Sequence, residues 1–145
     1  MEILQKKNIR LNVSFKDKDE AVEMAGNMLL ESGYVDESYI DLMKKREETM
    51  STFMGNGLAI PHGVAESRGE GIIKESGIVV IQVPDGVDFG NGNLAYMVIG
   101  IAGKGDEHLE ILSNIAMIFD DADNVEALKT ATDPDEIYKK FTETM

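Results

Sequence analysis

The sequence predicts one layered α/β domain over residues 1–145, with a mixed, mostly parallel sheet of four or five strands and helices on both faces. Three observations carry this expectation. Apolar residues recur at helical spacing in several segments, and short apolar or β-branched runs lie between those segments. One run, Leu94 to Ala102, is apolar on both sides of an extended chain, as in a strand covered on both faces of a sheet. Finally, 145 residues suffice for one sizeable core, and no linker, low-complexity tract or internal repeat divides them.

In chain order, the first helix is expected from about Asp17 to Ser32, where Ala21, Val22, Ala25, Met28 and Leu29 fall at helical spacing and Gly33 is the stop. Asp36 reads as the N-cap of a second helix, with Tyr39, Ile40 and Met43 facing inward and Lys44, Lys45 and Arg46 near its end. The segment from Thr49 to Met54 carries no helical stripe, and Gly55-Asn56-Gly57 is a turn signal. Leu58-Ala59-Ile60 follows as a short apolar piece and runs into Pro61-His62-Gly63. Ile78 to Val83 reads as a strand ended by a turn at Pro84-Asp85-Gly86. Leu94 to Ala102 is the next strand, and it ends at Gly103-Lys104-Gly105. Asp106 then caps a third helix, whose Leu109, Leu112, Ile115, Ala116 and Phe119, joined by Ile111 and Ile118, form one wide buried stripe. Two shorter helices close the chain, the last with Asp133 as cap and Pro134 in its first position.

Composition excludes several functions. Without cysteine there is no disulfide scaffold, thiolate zinc site or cysteine nucleophile, which fits a reducing compartment. Fourteen basic against 27 acidic residues give a net charge of −13, so nucleic acid and anionic membranes repel the chain while a partner with a basic face is steered toward it. Solubility alone is the simpler account of that charge. No signal peptide is evident and Leu94 to Ala102 is too short to span a bilayer, so a cytoplasmic location without membrane insertion is expected. Neither a P-loop nor a Gly-x-Ser-x-Gly elbow occurs, and no metal-ligand spacing is present. Neither cofactor nor metal is expected. The nine methionines read as packing residues.

Chemistry therefore falls to the two histidines and to one arginine. Histidine, with an ordinary pKa of about 6.5, is suited to exchanging a proton or a phosphoryl group near neutral pH. His62 follows an apolar segment at a rigid strand exit set by Pro61, and Gly57 and Gly63 leave room for close approach. Its other reading is a polar residue in a surface turn. His108 lies in the first helical turn, on a face shared with Leu112, Ile115 and Phe119. The positive dipole end there disfavours a protonated ring, so a neutral His108 can donate one hydrogen bond; an amphipathic residue at the core edge is the alternative. Arg46 either complements the dipole of its helix or offers its fork to phosphate oxygens.

The run Gly55-Asn56-Gly57-Leu58-Ala59-Ile60-Pro61-His62-Gly63 resembles the active-site signature of the mannitol/fructose-type enzyme IIA of the phosphoenolpyruvate-dependent sugar phosphotransferase system. The resemblance extends over nearly the whole chain, through Lys45-Arg46-Glu47-Glu48, Pro84-Asp85-Gly86-Val87-Asp88-Phe89-Gly90, Gly100-Ile101-Ala102-Gly103 and Glu107-His108-Leu109-Glu110-Ile111-Leu112. The later segments look most like the mannitol-specific branch. It implies a phosphoryl carrier: phospho-HPr delivers phosphate to His62, on Nε2, and His62 passes it to a cysteine of enzyme IIB, with the membrane component, enzyme IIC, engaged indirectly. His108 and Arg46 match the family's accessory residues beside the phosphate, and Gly55, Asn56, Gly57, Pro61 and Gly63 frame the site. Two rivals stand beside this reading. One is the nitrogen-type regulatory enzyme IIA, which accepts phosphate but signals to other proteins; the other is a binding module whose histidines are structural.

Overall fold

A computed structural model describes residues 3–63 and 71–144. After a short 3-10 turn at Lys6–Asn8, the elements are β1 (Ile9–Arg10), α1 (Lys18–Glu31), α2 (Ser38–Thr49), β2 (Phe53–Gly55), β3 (Leu58–Ala59), β4 (Gly77–Asp88), β5 (Leu94–Ala102), α3 (Glu107–Phe119), α4 (Ala122–Thr130) and α5 (Pro134–Thr144). The five strands form one sheet in the order β1-β4-β5-β3-β2. A mixed sheet with helices on both faces is as expected. Among the described residues its pairings divide evenly, however: β1–β4 and β3–β5 are parallel, while β2–β3 and β4–β5 are antiparallel. The parallel share is smaller than expected because β4 and β5 are consecutive and joined by a short link, which permits only an antiparallel return.

The alternation of side chains along β4 builds two cores. Val79, Ile81 and Val83 face α1 and α2, where they meet Ala21, Val22, Ala25, Leu29 and Met43. Ile78 and Val80 face the other way, into a cluster with Ile99, Ile101, Ile111, Ile115, Ile137 and Phe141 from β5, α3 and α5. Fully burying each such aliphatic side chain contributes about 1.5–3 kcal/mol. Both faces of β4 and β5 are thus covered, which is why Leu94 to Ala102 reads as continuously apolar.

Local signals place most helix ends. The Asp17 carboxylate accepts from the Glu20 N–H at 3.0 Å, and Gly33, at φ +80°, stops α1 just after Ser32. Asp133 accepts from the Asp135 N–H at 2.9 Å at the head of α5. Asp36 lies one residue outside the observed cap of α2, Glu37, and its carboxylate instead takes the Ser38 hydroxyl at 2.8 Å.

Three expectations need correction. Pro84-Asp85-Gly86 does not end the strand: β4 runs on to Asp88, with a register shift between Gln82 and Val87. A bulge tolerates proline inside a sheet, so the same residues that signal a turn also serve as an irregularity within a strand. Asp106 holds the cap position of α3 but makes no side-chain capping bond. Ser76 anchors that end instead, donating to Glu107 Oε1 at 2.6 Å and accepting from the Lys104 N–H at 2.9 Å. Finally, the buried face of α3 consists of His108, Ile111, Ile115, Ile118 and Phe119, while Leu109 and Ala116 are exposed. No helix among the described residues is long and apolar enough to cross a membrane.

Candidate functional site

Neighbouring segments line one cleft that runs beside β3 and α3. The β2–β3 hairpin turns through Gly55, Asn56 and Gly57, all at positive φ (+88°, +52° and +73°), a conformation that only glycine and asparagine adopt readily. The Asn56 side-chain amide donates to the Phe119 carbonyl at 3.0 Å, tying this turn to the far end of α3. The Gly57 carbonyl accepts from the N–H groups of Tyr96 and Met97, which seats the turn on β5.

Beyond β3 the chain stays beside β5. The Pro61 carbonyl accepts from the Ile101 N–H at 3.0 Å, and His62 forms a parallel bridge with Ile101. The Gly63 N–H donates to the Tyr39 hydroxyl at 2.8 Å, and that hydroxyl donates to the Ile101 carbonyl at 2.7 Å. His62 is therefore held on both sides by backbone anchored to the central sheet.

The ring of His62 is partly exposed, and its Nδ1 lies 2.7 Å from the Ile60 carbonyl oxygen. A carbonyl only accepts, so Nδ1 carries the hydrogen and Nε2 holds the lone pair. His108, 6% exposed, places its ring centroid 5.3 Å from that of His62 with the planes tilted by 55°. Close approach of α3 to the end of β5 makes this possible. A Cβ on Gly103 would stand 2.4 Å from His108 Cα and 2.6 Å from its Cβ.

Arg46, in the last turn of α2, lines the same cleft of about 550 Å³ as His62, together with Met54, Gly55, Asn56, Leu58, Ile60, Leu112, Ser113, Ile115, Ala116, Phe119 and Asp120. Its guanidinium donates to the Met50 carbonyl at 2.5 Å, just past the helix end. Next to it, Glu47 is buried and accepts from the Thr52 N–H at 3.0 Å and the Thr52 hydroxyl at 2.5 Å; Lys18 stands 3.5 Å from its second oxygen. This carboxylate fixes the path from α2 into β2.

The structure thus brings His62 and His108 into ring contact and lines one cleft with His62, Arg46, Gly55 and Asn56. Gly57, Pro61 and Gly63 frame it through the backbone bonds above. Met54, on the cleft lining, is 60% exposed. Residue patterns alone did not single out Tyr39, Gly103 or Glu47. The signals were faint: an inward tyrosine on an early helical turn, a glycine immediately after a buried strand, and a carboxylate next to Arg46.

The profile of the phosphoenolpyruvate-dependent sugar phosphotransferase system, EIIA 2, matches residues 2–144, and the chain belongs to that family. It is 50% identical over 143 residues to the mannitol-specific phosphotransferase enzyme IIA component of Bacillus subtilis strain 168, covering 99% of each chain. It also superposes on the crystal structure of IIA mannitol from Escherichia coli with a TM-score of 0.87 at 33% identity, over 94% of this chain and 97% of that one. The Escherichia coli complex of this enzyme with phosphorylated enzyme IIB gives a TM-score of 0.90 at 30% identity, over 99% of both chains.

Proposed function

We propose that this chain is the phosphoryl carrier of a mannitol phosphotransferase system, working in the cytoplasm. It accepts phosphate from phospho-HPr on His62 Nε2 and passes it to the cysteine of enzyme IIB. The observation that carries the residue assignment is the Nδ1–H of His62 on the Ile60 carbonyl, which makes Nε2 the nucleophile, with His108 in ring contact and Arg46 on the same cleft.

In the first transfer, the P–N bond to HPr breaks as the Nε2 lone pair forms a new P–N bond on His62. The ring of His62 gains positive charge as it gives up that pair. The Ile60 carbonyl, facing Nδ1–H, stabilises this charge and holds the tautomer in place. Phosphoryl transfer asks the protein mainly for in-line positioning and stabilisation of charge on the equatorial oxygens. Arg46 answers that charge, and His108 offers a hydrogen bond beside His62. In the second transfer, the P–N bond breaks toward the cysteine sulfur of enzyme IIB and the neutral ring is restored. The exposed apolar side chain of Met54 on the cleft lining suits protein partners that dock and leave.

The test is incubation with phosphoenolpyruvate, enzyme I and HPr, followed by intact-mass measurement of wild type and His62→Ala. One acid-labile phosphoryl group on wild type and none on the variant is expected. No added mass on wild type, with HPr itself phosphorylated, overturns the proposal. Phosphate delivery to a mannitol-type enzyme IIB distinguishes the transport role from a regulatory one.

A further inference from the structure

In a regular parallel ladder, the Ile101 carbonyl would accept directly from the N–H of the residue after its bridge partner His62. That residue is Gly63, and the Tyr39 hydroxyl bridges these same two groups. It accepts from Gly63 N at 2.8 Å and donates to Ile101 O at 2.7 Å, with Tyr39 only 1% exposed. The phenol oxygen thus ties the chain leaving His62 to β5 through a side chain of α2. On the other side of His62, the Pro61 carbonyl keeps its direct bond to the Ile101 N–H. The backbone of His62 is therefore tied to β5 by a direct bond before the residue and through one hydroxyl after it.

We propose that Tyr39 is a positioning residue for phosphoryl transfer. Its phenol sets the tilt of the Ile60–Gly63 backbone so that His62 Nδ1–H stays on the Ile60 carbonyl and Nε2 keeps its place beside His108. The second consequence comes from α2 itself. Tyr39, Met43 and Arg46 lie at i, i+4 and i+7, on one helical face. One rigid helix thus fixes the nucleophile's backbone at its first turn and presents Arg46 to the cleft at its last. The spacing between nucleophile and cation is set by this helix, not by a loop.

The inference rests on the carrier reading above, so its first measurement needs no phosphate. Tyr39→Phe keeps the buried ring and removes only the oxygen. Gly63 N–H and Ile101 C=O are then free to close into an ordinary rung, and the variant is expected to fold. Imidazole nitrogen NMR of unphosphorylated wild type should show His62 in one tautomer, with the hydrogen on Nδ1. Tyr39→Phe should show a mixture of tautomers. Its transfer rate from phospho-HPr at saturation should fall about tenfold or more, with KM nearly unchanged. Ile99→Val, a trimmed buried residue, serves as the control for lost stability and should change neither reading.

Wild-type tautomer and rate in Tyr39→Phe would overturn the proposal, as would a slower rate with the tautomer unaltered. If the variant fails to fold, wild type still decides: a slowly exchanging Tyr39 hydroxyl proton is expected in cold spectra, and a rapidly exchanging one refutes the bridging role. Failure of wild type to accept phosphate would refute the carrier reading while leaving the tautomer measurement intact.

Discussion

Substitution of Gly103 by alanine tests how tightly the two histidines depend on backbone contact. The added Cβ would lie 2.4, 2.6 and 2.9 Å from the Cα, Cβ and N of His108, whereas ordinary contact begins near 3.4 Å. The obstructing atoms belong to a helix start, not to the end of a flexible side chain, so the first turn of α3 must move by about 1 Å. Ser76 resists that motion through its bonds to Glu107 and Lys104. Overpacking of this kind costs about 1–3 kcal/mol. In a chain of 145 residues, a loss of about 2 kcal/mol lowers Tm by about 4–8 °C. A displacement of about 1 Å at a transfer site costs up to about a hundredfold in rate. The comparison variant is Gly100→Ala, whose Cβ would meet Ala25 Cβ and Val79 Cγ2 at 2.9 Å, away from His108. Rapid-quench transfer from phospho-HPr, paired with thermal melts, separates the two. Both variants should lose stability, but only Gly103→Ala should lose rate well beyond its unfolded fraction. Equal rates in the two variants would refute the claim that Gly103 sets the position of His108.

The remaining predictions concern α2 and its neighbours. Arg46→Ala should slow transfer about a hundredfold while leaving Tm nearly unchanged, because its bond to the Met50 carbonyl is exposed; a wild-type rate removes it from the mechanism. Glu47→Ala leaves two buried Thr52 donors without their acceptor and should cost at least about 2 kcal/mol in denaturant melts, with Glu47→Gln losing less. The Ser38 hydroxyl, and then the nearby backbone N–H groups, hold the Asp36 carboxyl below its ordinary pKa of 3.8. A depressed carboxyl adds stability above its ordinary pKa and loses it as pH falls through the folded value, so this contribution disappears only in acid. Ser38→Ala should shift the Asp36 midpoint upward in a carboxyl-carbon NMR titration.

Much of this fold is legible because its signals are local. Asp17 and Gly33 bracket α1, and Asp133-Pro134 opens α5, since each acts on backbone groups within a few residues. β5 is legible for a different reason: covering both faces requires an unbroken apolar run. The two-residue β1 escapes notice because Ile9 and Arg10 offer no period; pairing with Val80 and Ile81 of β4 makes them a strand. Pro84 misleads because its missing N–H fits a turn and a bulge equally well, and only the partner strand chooses between them.

The site divides along the same line. His62, His108 and Arg46 are visible as residue types in a motif, and the geometry places the two rings 5.3 Å apart with Arg46 on the same cleft. The groups that aim them are not visible in this way. Tyr39 meets Gly63 across 24 positions and Ile101 across 62, and each contact exists only once the sheet has formed. Leu109 shows the converse. Periodicity counts it into the buried stripe of α3, yet it is 64% exposed on the first turn of that helix, beside His108. Apolar spacing records that a side chain avoids water, without recording whether the cover is the chain's own core or a visiting partner.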